Sequence, residues 1–172
     1  MLNPLDAPDA VSVAAEELED LLADCNHMPA ISLFPVVPVA PVISGAGTTR
    51  GHDRMTALAQ AVYDAGASGH QLRTPVDPFE PPQAWRDILR RQVTDGFMQP
   101  THRYADPSLR TPAQIRRAGE LAHGVADLIE AHLGPVRHSG DVGGPHTGDI
   151  GWRNLLLVTS DWATILHLGI CD

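Results

Sequence analysis

Apolar residues recur at helical spacing in four stretches of this chain. Over residues 10–25, Val11, Ala14, Ala15, Leu18, Leu21, Leu22 and Cys25 line one side, with Glu16, Glu17, Glu19 and Asp20 on the other. That pattern predicts an amphipathic helix with Asp9 as its N-cap. Met55, Leu58, Ala59 and Val62 predict a second helix over 54–65, capped by Asp53 and ended by Gly66. Trp85, Ile88, Leu89 and Val93 predict a third over about 83–95, with Gly96 at its end. The fourth, 112–133, carries the clearest signals. Thr111 stands at the cap, Pro112 at the first helical position and Gln114 where a capping box needs it. Ile115, Ala118, Leu121, Ala122, Val125, Ile129 and Leu133 form its stripe, and Gly134-Pro135 stops it.

Three stretches read differently. Asn154–Thr159 and Trp162–Ile170 are short apolar runs joined at Ser160-Asp161, which predicts a hairpin. Between Ile31 and Ile43, prolines fall at 35, 38 and 41, one per turn of polyproline II. Each lacks the N–H that a central strand must donate. The segment therefore reads as an edge strand or extended arm, whose valines need cover from their own domain or from a neighbour. The expected fold class is α+β, with about four helices packed on a small, mainly antiparallel sheet that includes the C-terminal hairpin and a Pro-rich edge segment. We expect a single domain over 1–172, with a Pro/Gly-rich arm or edge strand at 30–52 and a Gly/His/Asp loop at 135–151.

Composition narrows the function classes. With 43% hydrophobic and 19% charged residues, 172 residues are enough for a core without disulfides or metals. The net charge is −9, from twelve Arg and no Lys against twenty-one acids. Nucleic-acid binding needs clustered cations. The nearest approaches, Arg90-Arg91 and Arg116-Arg117, read as solvated helix faces, so no nucleic-acid partner is expected. The absence of Lys with abundant Ala, Gly, Pro and Arg fits coding by a high-GC bacterial or phage genome. Cys25 and Cys171 form no CxxC pair, the N-terminus carries no signal-peptide pattern, and the longest apolar stretch is broken by prolines. The expectation is a soluble protein, cytoplasmic or part of a virion, with no membrane partner.

Candidate chemistry gathers in one loop. His138-Ser139-Gly140-Asp141-Val142-Gly143 is echoed eight residues on by His146-Thr147-Gly148-Asp149-Ile150-Gly151. His138, Asp141, His146 and Asp149 offer nitrogen and oxygen donors that suit a divalent metal such as zinc, iron or manganese. A His146–Asp149 pair could also serve as a general base, because imidazole titrates near neutrality. The same Gly-Asp steps are equally ordinary turn chemistry.

His146-x-Gly148-Asp149 followed by Asn154-Leu155-Leu156-Leu157 resembles the catalytic loop of aminoglycoside-phosphotransferase-like kinases. The resemblance covers about thirty residues. It implies a catalytic base at Asp149 and a magnesium ligand at Asn154. The chain departs from that family where His167 replaces the second metal-binding Asp, where it stops at Asp172, and in lacking a phosphate-binding loop or lysine in its first 100 residues.

Three functional expectations follow. The first is a non-enzymatic assembly or protein-interaction subunit, a structural component of an actinobacterial phage particle being one concrete version. It would associate with itself or a protein partner through Pro35, Val37, Pro38, Val39 and Pro41. The second is a small hydrolase-type enzyme, metal-dependent or His/Asp-based, using the 138–149 loop, with a degenerate phosphotransferase as its variant. The third is a small-molecule or nucleotide-binding module at the glycine turn 45–51. His167 and the tryptophans 85, 152 and 162 read as packing residues.

Overall fold

A computed structural model describes residues 2–23, 28–45, 51–66, 71–72, 74–97, 111–143 and 151–171. A 3-10 turn, Pro4–Asp6, leads into α1 (Ala7–Ala23), followed by β1 (Met28–Leu33) and β2 (Val37–Pro38). Then come α2 (Val39–Gly45), α3 (Gly51–Ala65), β3 (Asp77–Pro78) and α4 (Ala84–Arg91), which runs into a π-helical turn, Gln92–Phe97. The chain ends with α5 (Pro112–Leu133), β4 (His138–Asp141), β5 (Gly151–Val158) and β6 (Trp162–Cys171). The fold is α+β, and every ladder in its sheet is antiparallel.

Strand order is β1-β6-β5-β4-β3, with β2 also on β6. The C-terminal hairpin thus lies at the centre of the sheet. Its apolar runs do not alternate because both faces are covered. Leu155, Leu157, Leu166 and Leu168 face one helical layer, α1, α4 and α5, together with Ile31 and Leu33 of β1. Leu156, Val158, Ala163 and Ile165 face the other, where Leu58, Ala59, Val62 and Tyr63 of α3 pack. The result is a helix–sheet–helix sandwich with a core on each side of the sheet.

The proline-spaced segment takes two conformations. β1 and β2 run along the outer edge of β6, with Phe34 N–H donating to Ile165 O (2.9 Å) across the break at Pro35. From Val39 onward the chain is helical, not extended, with Pro41 in the first turn of α2, where a missing N–H costs nothing. Val37 and Val39 are buried in the domain's own core, while Pro35, Pro38 and Pro41 are exposed. The free edge of β1 is blunted by Glu19 of α1, whose Oε1 accepts from Ile31 N–H at 2.8 Å.

The capping signals at α5 are realised in full. Thr111 Oγ1 accepts from Gln114 N, and Gln114 Oε1 accepts from Thr111 N. Gly134 closes the helix at φ +86°, a conformation that favours glycine. Two other caps differ from expectation. Asp9 lies inside the first turn of α1, where Pro4–Asp6 has already begun the helical path, and Asp53 lies inside α3, which starts at Gly51. Both still place a carboxylate at the positive end of a helix dipole. Residues 138–141, expected as loop, form β4, because pairing with β5 satisfies their backbone.

Candidate functional site

The sheet's alternation separates the residues of the expected loop site. His138 and Gly140 point to the α3 side, and Ser139 and Asp141 to the α5 side. Asp141 is engaged there: its Oδ2 accepts from Arg153 Nε (2.8 Å) and Nη2 (2.7 Å), and that guanidinium lies over the Phe79 ring. His138 and Asp141 therefore do not converge on one ion. His146 and Asp149 lie outside the described residues, as do Asp24–His27 and the glycine turn at 46–50. Among the described residues, no group of three or more His, Cys, Asp or Glu side chains is gathered for a metal.

Asn154, which the kinase resemblance would assign to magnesium, is 2% exposed and bonded at both ends of its amide. Its Nδ2 donates to Tyr63 Oη at 3.1 Å, and its Oδ1 lies 2.7 Å from His167 Nδ1. Phe34 packs edge-on against both the Tyr63 and His167 rings. Burial pushes the Tyr63 phenol up to about 12, against the weaker opposite pull of the Asn154 bond. The network holds β5, β6 and α3 in register. His167 is thus a buried, bonded core histidine, as its apolar strand suggests.

His138 instead faces a groove of about 570 Å³ on the α3 side of the sheet. Among the described residues, five separate segments build it. Val39 and Ile43 come from α2, and Met55 and Leu58 from α3. Pro78 of β3 and Val158 at the end of β5 complete the apolar lining. The polar lining is Arg54 of α3, Arg137 and His138 at the start of β4, and Thr159 and Ser160 of the β5–β6 turn. Arg137 is fixed by its backbone, whose N–H donates to Val158 O at 2.7 Å. α3 in turn holds the strand carrying Pro78, since Thr56 Oγ1 accepts from Val76 N–H at 3.2 Å and Gln60 Oε1 from Leu72 N–H at 2.9 Å.

The polar groups of this lining differ in what they have left to offer. Ser160 Oγ already donates to Asp161 Oδ2 (2.7 Å), and Thr159 Oγ1 accepts from the amides of Asp161 and Trp162. Arg54, Arg137 and His138 are exposed, and none of the three forms an ion pair among the described residues. The groove is thus a mainly apolar trough whose lining includes exposed hydrogen-bond donors.

Val39 and His138 were legible as candidates, though for other roles. Arg54, Met55, Leu58 and Arg137 were not, since no local motif joins residues drawn from α2, α3, β3, β4 and β5. Pro35, Val37, Pro38 and Pro41 are not among the lining residues. Among the described residues, no helix is long and apolar enough to cross a membrane. Compared with protein-family models, with curated proteins and with solved structures, the chain finds no match.

Proposed function

We propose that this chain is a non-enzymatic binding module that holds a small molecule in the groove between α2, α3 and the β4–β5 end of the sheet. One observation carries the reading: a concave, mostly apolar trough of about 570 Å³ with a few polar groups in its lining. Its size falls within the range usual for small-ligand sites, and its composition is the usual one. Met55, unbranched and polarisable, suits a wall that adapts to an occupant. The reading keeps the small-molecule module expected near the glycine turn and moves the site from that turn to the surfaces of the helices flanking it.

The test is a fluorescence titration of the full-length protein with an uncharged apolar probe, N-phenyl-1-naphthylamine. Saturable binding at one site per chain is expected, and Ile43→Trp, which fills the trough from α2, should abolish it. Absence of saturable binding, or undiminished binding by a folded Ile43→Trp variant, would overturn the reading.

A second reading is an assembly or protein-interaction subunit, such as a structural component of an actinobacterial phage particle. Leu2, Leu5 and Val13 favour it, being large apolar side chains 50%, 63% and 67% exposed within the first thirteen residues. Native mass spectrometry of the full-length protein decides. A multimer that Leu5→Glu dissociates supports this reading, and a monomer at all concentrations refutes self-association.

A further inference from the structure

We infer that the occupant of the groove is an anionic amphiphile, a free small molecule with an apolar body and a carboxylate or phosphate head; this rests on the ligand-binding reading above. The argument is one of unmatched donors. A guanidinium has five N–H donors and no acceptor. Arg54 and Arg137 line the same groove from different elements, as does His138. Of the hydroxyls in the lining, Thr159 Oγ1 is fully engaged within its own turn, and Ser160 Oγ, which donates to Asp161, offers only a neutral acceptor. An occupant that pairs with these guanidiniums brings acceptors, and two cations in one lining favour one that also brings negative charge.

The rest of the chain makes the pairing state of these arginines informative. With twenty-one acids to twelve arginines, carboxylates are in excess. Arg86 takes Asp127 and Glu130, Arg117 takes Glu17 and Glu120, and Arg153 takes Asp141. Arg90, Arg91 and Arg116 also lack carboxylate partners among the described residues; Arg90 and Arg116 line none of the grooves described, and Arg91, whose Nε donates to Asp87 O, lines a mostly polar one beside Asp95. Of these three grooves, the one between α2 and α3 has two carboxylate-free arginines in a mainly apolar lining among the described residues. Val39, Met55, Leu58 and Val158, all buried or nearly so, set the chemistry of the other end of the ligand: an aliphatic or small aromatic body.

The test is competition against bound N-phenyl-1-naphthylamine, using decanoate, decyl phosphate, decanol and decyltrimethylammonium below their micellar concentrations. Decanoate and decyl phosphate should displace the probe at about tenfold lower concentration than decanol, the size expected of one or two charge-assisted hydrogen bonds. Decyltrimethylammonium should be the weakest. Arg54→Gln/Arg137→Gln should bring decanoate to the level of decanol, with an unchanged far-UV circular dichroism spectrum showing that the variant is folded. Equal displacement by decanoate and decanol would overturn the inference and leave the ligand-binding reading standing. Failure of the probe itself to bind would overturn both. Binding to phosphatidylglycerol vesicles without displacement by the monomeric anions would assign the arginines to a lipid surface and overturn the inference.

Discussion

Gly140 sits in β4 opposite Pro78, where β3 forms the far edge of the sheet. A Cβ added there would lie 2.6 Å from Asp77 O and 2.7 Å from Val76 Cγ1. The valine methyl can rotate aside, but the backbone oxygen cannot, so β3 must retreat by roughly 0.8 Å to regain ordinary contact at 3.4 Å. The retreat weakens the short β3–β4 ladder and the adjoining bond from Phe79 N–H to Ser139 O (2.8 Å). Overpacking of this kind costs typically about 1–3 kcal/mol and a lost hydrogen bond about 1, so Gly140→Ala should cost about 2–4 kcal/mol. For a domain of this size that is a fall in Tm of roughly 5–15 °C. Urea denaturation monitored by tryptophan fluorescence measures it, with an unchanged slope showing that both states keep their compactness. Because Pro78 lines the groove, the same variant should also bind N-phenyl-1-naphthylamine more weakly. A stability within about 0.5 kcal/mol of the parent, the usual scatter of neutral surface substitutions, would refute the reasoning.

Tyr63 predicts an alkaline limit. Its folded pKa is raised by burial to about 12, so above pH 10 the unfolded chain gives up a proton that the native chain keeps. Stability should therefore fall as pH rises through this window, by about 1.4 kcal/mol per unit and about 3 in all. Comparing denaturation midpoints at pH 9 and pH 11, Tyr63→Phe should remove most of that loss; an unaltered loss would reject the assignment. Glu130 joins α5 to two neighbours, its Oε2 taking Arg86 Nη2 (2.6 Å) and its Oε1 the Val136 N–H (3.1 Å). Glu130→Ala strands the amide of a buried residue and should cost about 2 kcal/mol in urea, with Glu130→Gln costing less because its carbonyl can still accept; equal costs for the two would show that the Val136 bond contributes little.

Much of the fold was legible because its signals are local. The 112–133 helix needed only Thr111, Gln114 and Gly134, whose caps act within one turn of backbone. The hairpin needed only two apolar runs and the turn at Ser160-Asp161. The edge position of the proline segment followed from the missing N–H groups. What was not legible depended on partners distant in sequence. Residues 138–141 look like a polar loop until β5 supplies their hydrogen bonds, and residues 39–45 look extended until α3 gives Val39 a core to enter.

The candidate site divides along the same line. Sequence alone marked His138 and Asp141 as chemically able residues, since side-chain type is a local property. Pairing with β5 set them on opposite faces of a strand, committed Asp141 to Arg153, and put His138 in the lining of the groove that Arg54 and Arg137 also line. Amino-acid pattern by itself determined four of the helices, the C-terminal hairpin and the net negative charge, because periodicity, caps and charge are written residue by residue. Only the tertiary structure decided where a groove opens and which cations flank it, because a concavity belongs to no segment and exists only where α2, α3 and the sheet pack without filling the space between them.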